Sequence, residues 1–331
     1  MSGTKPTIGV IGAGAWGTAL AQVLSEGEPQ LLLWAREPET VAQINEDREN
    51  RSFLPGHPLR ETIVATQDWD AMAACDVLLL VTPAQHLRAT LETLPPSDAT
   101  LILCCKGIEA DSRMLMSEVA AELRPVNPLA VLSGPTFAHE VAQGLPTALT
   151  LACENEALWH RLNPLIAKTG FRPYFSDDVI GAEIGGAVKN VLAIGCGVVD
   201  GAGLGQNARA SLISRGFAEM LRYGAARGAS AETLSGLCGL GDLVLTCSST
   251  SSRNFSLGRG LGEGHSAESL LSDRTTVAEG ASTAPVLRQD AETRHVDMPI
   301  VDSVCALLAG EADVQSVVTR LMTRPLVSER R

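Results

Sequence analysis

Hydrophobic and polar positions change their spacing once along this chain, near residue 180. Before that point short apolar runs recur at 7–11 (TIGVI), 30–34 (QLLLW), 62–65, 76–81 (DVLLLV), 100–104 (TLILC), 129–132 (LAVL) and 147–152 (TALTLA). Many of the gaps carry apolar residues at helical spacing, over 16–25, 84–94, 112–123 and 156–168. Strands that are apolar throughout and alternate with helices predict a parallel sheet covered on both faces. From about residue 180 the strand signals fade, and helical patterns fill 181–200, 207–228, 230–238, 254–261, 267–271, 282–294, 300–309 and 313–322. The expected fold is α/β, a doubly wound sheet over 1–178 followed by an all-α domain over 179–331, with the boundary at the Asp177–Asp178 pair.

The first strand runs into IGVIGAGAWGTALAQVL (8–24), which spaces Gly12, Gly14 and Gly17 as G-x-G-x-x-G between a strand and an amphipathic helix. That context makes the sheet Rossmann-type and the loop a dinucleotide site. Gly12 permits the tight turn, Gly14 lets the backbone approach the pyrophosphate, and Gly17 allows close packing of helix on strand. The adenine ribose is read at the end of the second strand, where LLLWAREPE offers Arg36 as its first charged residue. A guanidinium there pairs with a 2′-phosphate and stacks on adenine, whereas Glu37 would accept from a ribose hydroxyl. The expected cofactor is NADP(H), with NAD(H) also accepted.

Composition narrows the partners. The 331 residues are 45% hydrophobic but only 4% aromatic, so glycine and small aliphatic residues must dominate the packing. A formal net charge of −12 argues against a nucleic-acid or anionic membrane partner, and requires positive charge at any anion site to be local. No apolar run reaches the roughly 20 residues of a membrane span, and no basic leader opens the chain; the expected location is cytoplasmic. Eight cysteines form no C-x-x-C and six histidines show no metal spacing, which points to buried reduced thiols and no metal site. No repeat is present, and SLGRGLGEG (256–264) lacks the ending of a P-loop. The oligomeric state is left open, a homodimer included.

Lys189 interrupts GGAVKNVLAIGCGVVDG (185–201), where it must lose its charge, find a partner, meet a ligand or snorkel to water. The glycine loop, Arg36, CCKGIE (104–109), LSGPTFAHEV (132–141), EIGGAVKN (183–190), GLGDLVLTC (239–247) and SSRNFSLG (251–258) decide between these. Together they resemble the bacterial NAD(P)-dependent glycerol-3-phosphate dehydrogenases, in the family's order, from residue 8 to at least residue 310. The resemblance implies cofactor contacts at Ala15, Trp16, Arg36, Lys106, Ala138, Arg253, Val277 and Glu279. It implies substrate contacts at Lys106, Gly134, Thr136, Lys189, Asp242, Ser252, Arg253 and Asn254, with Lys189 as the proton acceptor. Two departures, Glu37 in place of a second basic residue and Phe53 in place of tyrosine, bear on NADP preference rather than on chemistry.

The residues themselves carry part of this. Gly185, Gly186 and Ala193 at helical spacing from Lys189 leave room around its amine, and a partly desolvated lysine serves as a general base. Lys106 follows a strand at the end where doubly wound sheets bind ligands. Gly134-Pro135-Thr136 offers backbone amides and a hydroxyl. Ser252, Arg253 and Asn254 at a helix start suit a phosphate. Asp242 has three readings: orienting Lys189, accepting from the substrate hydroxyl, or capping the following helix. The implied reaction is reversible hydride transfer between dihydroxyacetone phosphate and sn-glycerol 3-phosphate, supplying phospholipid synthesis, with Lys106 and Lys189 stabilising the oxyanion. A hydroxyacid- or opine-type dehydrogenase and a non-catalytic NADP(H) sensor are the alternatives.

Overall fold

Apolar strand sequences too short to bury their backbone alone must pair, and here they pair in one sheet. The computed structural model describes residues 6–272 and 278–325, so Val277 lies outside the described residues. The strands are β1 (Ile8–Ile11), β2 (Leu31–Trp34), β3 (Glu49–Asn50), β4 (Leu54–Pro58), β5 (Ile63–Thr66), β6 (Val77–Leu80), β7 (Thr100–Leu103), β8 (Leu129–Ser133), β9 (Thr147–Ala152) and β10 (Phe171–Ser176). Interleaved with them are α1 (Ala15–Leu24), α2 (Pro38–Ala42), α3 (Trp69–Ala73), α4 (Leu87–Thr93), α5 (Met116–Leu123), α6 (Ala138–Ala142) and α7 (Glu156–Ile166). Helices alone follow: α8 (Val179–Gly201), α9 (Gly205–Arg227), α10 (Ala231–Leu234), α11 (Asp242–Thr246), α12 (Arg253–Gly262), α13 (Ala267–Leu271), α14 (Glu279–Thr293), α15 (Pro299–Leu308) and α16 (Val314–Met322).

The chain separates into two compact units, 1–186 with 228–242, and 187–227 with 243–331. The division therefore runs inside α8, whose continuous backbone serves both. In the first unit the sheet order is β10-β9-β8-β7-β6-β1-β2-β5, with β3 and β4 forming a separate hairpin. The chain leaves β1 towards β2 on one side and reaches β6 on the other. This order reversal puts a topological switch point between β1 and β6, beside the glycine loop. One expectation of the pattern fails: β9 runs antiparallel to β8, while every other neighbouring pair in the large sheet is parallel. A strand's direction is set by the connection that delivers it, which its own hydrophobic run does not record. β10 (FRPYFS) also escapes the pattern, because an edge strand tolerates Pro173 and outward polar residues.

In the second unit, glycine replaces large side chains at the helix contacts. A Cβ on Gly197 or Gly201 of α8 would collide with the Phe255 and Arg259 carbonyls of α12. Gly258 and Gly262 of α12 reciprocate against the Ile194 and Val198 carbonyls. Two such four-residue repeats bring the helix backbones together and fix where α12 begins. The sequence expectation about membrane-length runs is corrected here: the 23-residue α8 is long and apolar enough to cross a bilayer, at a mean hydropathy of 1.4. Glu183 and Lys189 interrupt the run and lower its mean, but the small and aliphatic residues around them keep it high. In this fold 89% of that window is buried inside the protein.

Candidate active site

The dinucleotide motif acquires a separate physical reason for each glycine. Gly12 has φ of +114°, and a Cβ there would lie 2.9 Å from the Val81 carbonyl oxygen at the end of β6. A side chain on Gly17 would collide with the Gly12 carbonyl, so this glycine packs the helix onto its own turn rather than onto the strand. A Cβ at Gly14 would meet nothing within 4 Å, which leaves that side open to a ligand. Gly14 is the N-cap of α1 and makes no side-chain cap, and the first turn carries no acid. The amides of Ala15, Trp16 and Gly17 are thus available to an anion.

Orphaned buried atoms mark the same edge of the sheet. Among the described residues, Thr82 Oγ1 just past β6, Ser133 Oγ at the end of β8 and Trp16 Nε1 in the first turn of α1 are buried with no hydrogen-bond partner, as are atoms of Thr62, Arg124 and Trp159 elsewhere. An unmade hydrogen bond in a buried place is costly, and a bound nucleotide or substrate relieves it. The residues present therefore fit a dinucleotide. Arg36 stands just beyond β2 with a side chain 79% exposed, its guanidinium turned onto Glu37 at 2.6 Å. Ala138 opens α6.

Lys106, three residues past the end of β7, is mostly buried and paired with Asp242 at 2.7 Å. Its amine also donates to the Gly134 carbonyl at 3.3 Å, which Thr136 Oγ1 reaches at 3.2 Å. Asp242 is buried where a helical turn over Leu237–Gly241 runs directly into α11, and Lys106 supplies its countercharge. The structure gives it a partner that the sequence reading did not weigh, because 136 residues separate the two. Gly134 is a glycine for packing: a Cβ there would stand 2.7 Å from Leu149 Cβ of β9. Gln85 is a contributor the sequence reading missed. Its amide clamps the loop after Lys106, donating to Ile108 O at 2.7 Å and accepting from Ala110 N at 2.9 Å. Arg88 grips Glu109 of that loop with two bonds of 2.9 Å and holds its carboxyl below the usual range.

The clearance expected around Lys189 from Gly185 and Gly186 is filled by other groups. Gly185 admits the Cys238 backbone, and at Gly186 a Cβ would lie 3.2 Å from both Lys106 Cγ and Ser133 Oγ. Lys189 itself does not snorkel: it is 7% exposed and donates to Thr246 Oγ1 at 2.9 Å. The neighbouring Asn190 accepts from Asn254 Nδ2 at 3.0 Å, and Asn254 Oδ1 accepts from Gly280 N at 2.9 Å. That chain of amides ties α8 to the starts of α12 and α14, which places Asn254 as a buried brace and Glu279 at the first position of α14. Ser252 caps α12 by accepting from Phe255 N at 3.2 Å, and Arg253 is exposed in the first turn. All eight cysteines are buried, and none forms a disulfide among the described residues. No group of three or more metal-ligating side chains occurs among the described residues.

Comparison with known proteins bears on this arrangement as a whole. Residues 7–159 match the model for the NAD-dependent glycerol-3-phosphate dehydrogenase N-terminus, and residues 178–319 match that for its C-terminus. A glycerol-3-phosphate dehydrogenase [NAD(P)+] of Erythrobacter litoralis is 64% identical over 322 residues, covering 97% of each chain. That of Caulobacter vibrioides is 54% identical, covering 98% of this chain and 99% of its own. The crystal structure of a glycerol-3-phosphate dehydrogenase from Coxiella burnetii superposes with a TM-score of 0.92 at 37% identity, covering 97% of this chain and 99% of that one. The chain belongs to the NAD-dependent glycerol-3-phosphate dehydrogenase family.

Proposed function

We propose that the protein is an oxidoreductase interconverting dihydroxyacetone phosphate and sn-glycerol 3-phosphate with NADP(H) or NAD(H). In this reading residues 1–178 form the nucleotide-binding domain, which also lends Lys106, Gly134 and Thr136 to the substrate, and 179–331 form the substrate-binding domain, which also lends Glu279 to the nucleotide. The observation that carries it is the pair of lysines, Lys189 buried and Lys106 mostly so, each hydrogen-bonded within the protein, in a chain whose glycine loop ends in an uncapped helix. The nicotinamide, when bound, supplies or takes up the hydride at carbon 2 of the substrate.

The remaining steps belong to the chain's own side chains. Lys189 exchanges the proton at the carbon-2 oxygen, and Lys106, anchored by Asp242, lends positive charge as that oxygen becomes anionic. Arg253 and the start of α12 bind the phosphate, supplying the local positive charge that an overall charge of −12 lacks. Gly134, Thr136, Ser252 and Asn254 shape the substrate side. Gly12, Gly14, Ala15, Trp16, Gly17, Arg36, Ala138 and Glu279 shape the nucleotide side. The enzyme works in the cytoplasm on soluble substrates and feeds phospholipid synthesis. NADPH oxidation with dihydroxyacetone phosphate, oxaloacetate and pyruvate side by side tests the reading. Turnover of the phosphate ester alone supports it, and preference for either oxoacid overturns it.

A further inference from the structure

An uncapped helix start binds an anion well only if its first peptide plane faces the ligand. In a trans peptide the C=O and N–H point to opposite sides. Whatever holds the Ala13 carbonyl therefore decides where the Gly14 N–H points. That carbonyl lies outside the helix ladder, whose first bond here runs from Thr18 N to Gly14 O at 2.9 Å. It is held by side chains instead: Asn50 Nδ2 at 2.9 Å and, more loosely, Thr18 Oγ1 at 3.4 Å.

Asn50 is built for this. It sits in β3, is 0% exposed, and uses its second N–H on Thr18 Oγ1 at 2.7 Å. Its oxygen accepts from Phe53 N at 3.2 Å. A carbonyl only accepts and a backbone N–H only donates, so these partners leave one orientation of the Asn50 amide. A Cβ built on Gly14 meets nothing within 4 Å, so the backbone beside this peptide is open to a ligand. Glycine resists rotation of that plane less than any other residue, so the loop's own sequence does little to hold it.

We propose that Asn50 is a positioning residue of the dinucleotide site, holding the Ala13 carbonyl inward so that the Gly14 N–H faces the pyrophosphate. The proposal rests on the dehydrogenase reading above. Because the pyrophosphate is common to both nucleotides, loss of Asn50 weakens NADH and NADPH alike. Through Phe53 N the same side chain also fixes the tip of the β3–β4 hairpin.

Asn50→Asp is the decisive variant, being the same size and keeping the acceptor for Phe53 N while losing both donors. Nucleotide titration by fluorescence should show both dissociation constants raised together by roughly 10- to 100-fold, with kcat at saturating nucleotide within about twofold of wild type. Thr18→Val, which leaves the Asn50–Ala13 bond in place, should change either constant by less than about threefold. If Asn50→Asp does not fold by circular dichroism, Asn50→Ser in the same titration decides. A folded variant with unchanged dissociation constants overturns the proposal, as does a fall in kcat with nucleotide binding intact. A wild type that binds neither nucleotide overturns the dehydrogenase reading itself, and this proposal with it.

Discussion

At the glycine loop of the sheet unit the groups offered to a ligand are backbone: uncapped amides at the start of α1 and open space in front of Gly14. In the helical unit they are side chains, and several are aimed by another side chain. Lys189 leans on Thr246, and Asn190 braces Asn254, which holds Gly280. The difference teaches where sequence motifs come from. A backbone site requires particular residues to lack a Cβ, so it leaves glycines at fixed spacing. A side-chain site requires helices to cross at one angle and depth, and here the crossing rests on the Gly197/Gly201 and Gly258/Gly262 contacts.

The comparison can be broken most sharply at the phosphate end. Arg253→Gln should lower kcat/KM for dihydroxyacetone phosphate by roughly 10²–10⁴-fold while leaving unphosphorylated dihydroxyacetone nearly unchanged. Steady-state kinetics with both substrates checks this; a parallel fall would assign Arg253 to the cofactor or the fold. Next, Lys189→Met should reduce kcat by at least ~100-fold with nucleotide binding near normal. Nearly full turnover would leave Lys189 as a packing residue.

On the sheet side, Arg36→Ala should weaken NADPH by roughly 10- to 100-fold and NADH far less, since only the 2′-phosphate contact is lost. Equal weakening of the two in a binding titration would turn attention to Glu37, which already engages the Arg36 guanidinium.

The smallest effect concerns stability in the helical unit. Buried Glu219 accepts from Ile300 N and Val301 N at the start of α15, and its burial pushes the carboxyl up to about 7. The folded state then holds this proton across a range where the unfolded chain, titrating near ~4.3, has released it. Its contribution is full below the unfolded value and is lost as pH rises towards 7, by as much as ~3 kcal/mol. Thermal melts of wild type and Glu219→Gln should show wild type gaining relative stability at pH 5 over pH 8. A pH-independent difference would refute the assignment.

Much of this was legible in the chain, for reasons tied to particular residues. Continuous apolar runs gave away β1, β2, β6 and β7 because both faces of the central strands are covered. The five-residue helices α2 and α3 and the β3–β4 hairpin did not announce themselves, being shorter than any reliable periodicity. Asn50 carried no signal, since its role depends on a loop 37 residues away. Gly185 and Gly186 were visible as small residues, but what they make room for was not. The sequence suggested a cavity, and the fold supplies the Cys238 backbone and the Lys106 stem.

The sequence alone determined the fold class and the dinucleotide loop, because hydrophobic spacing and glycine placement are local constraints written residue by residue. Only the tertiary structure decided the antiparallel turn of β9, the pairing of Lys106 with Asp242, the burial of α8, and the bond from Asn50 to Ala13. These depend on contacts between segments far apart in the chain. Their favourable energy appears only after the loops between them have closed, and no single stretch of sequence contains it.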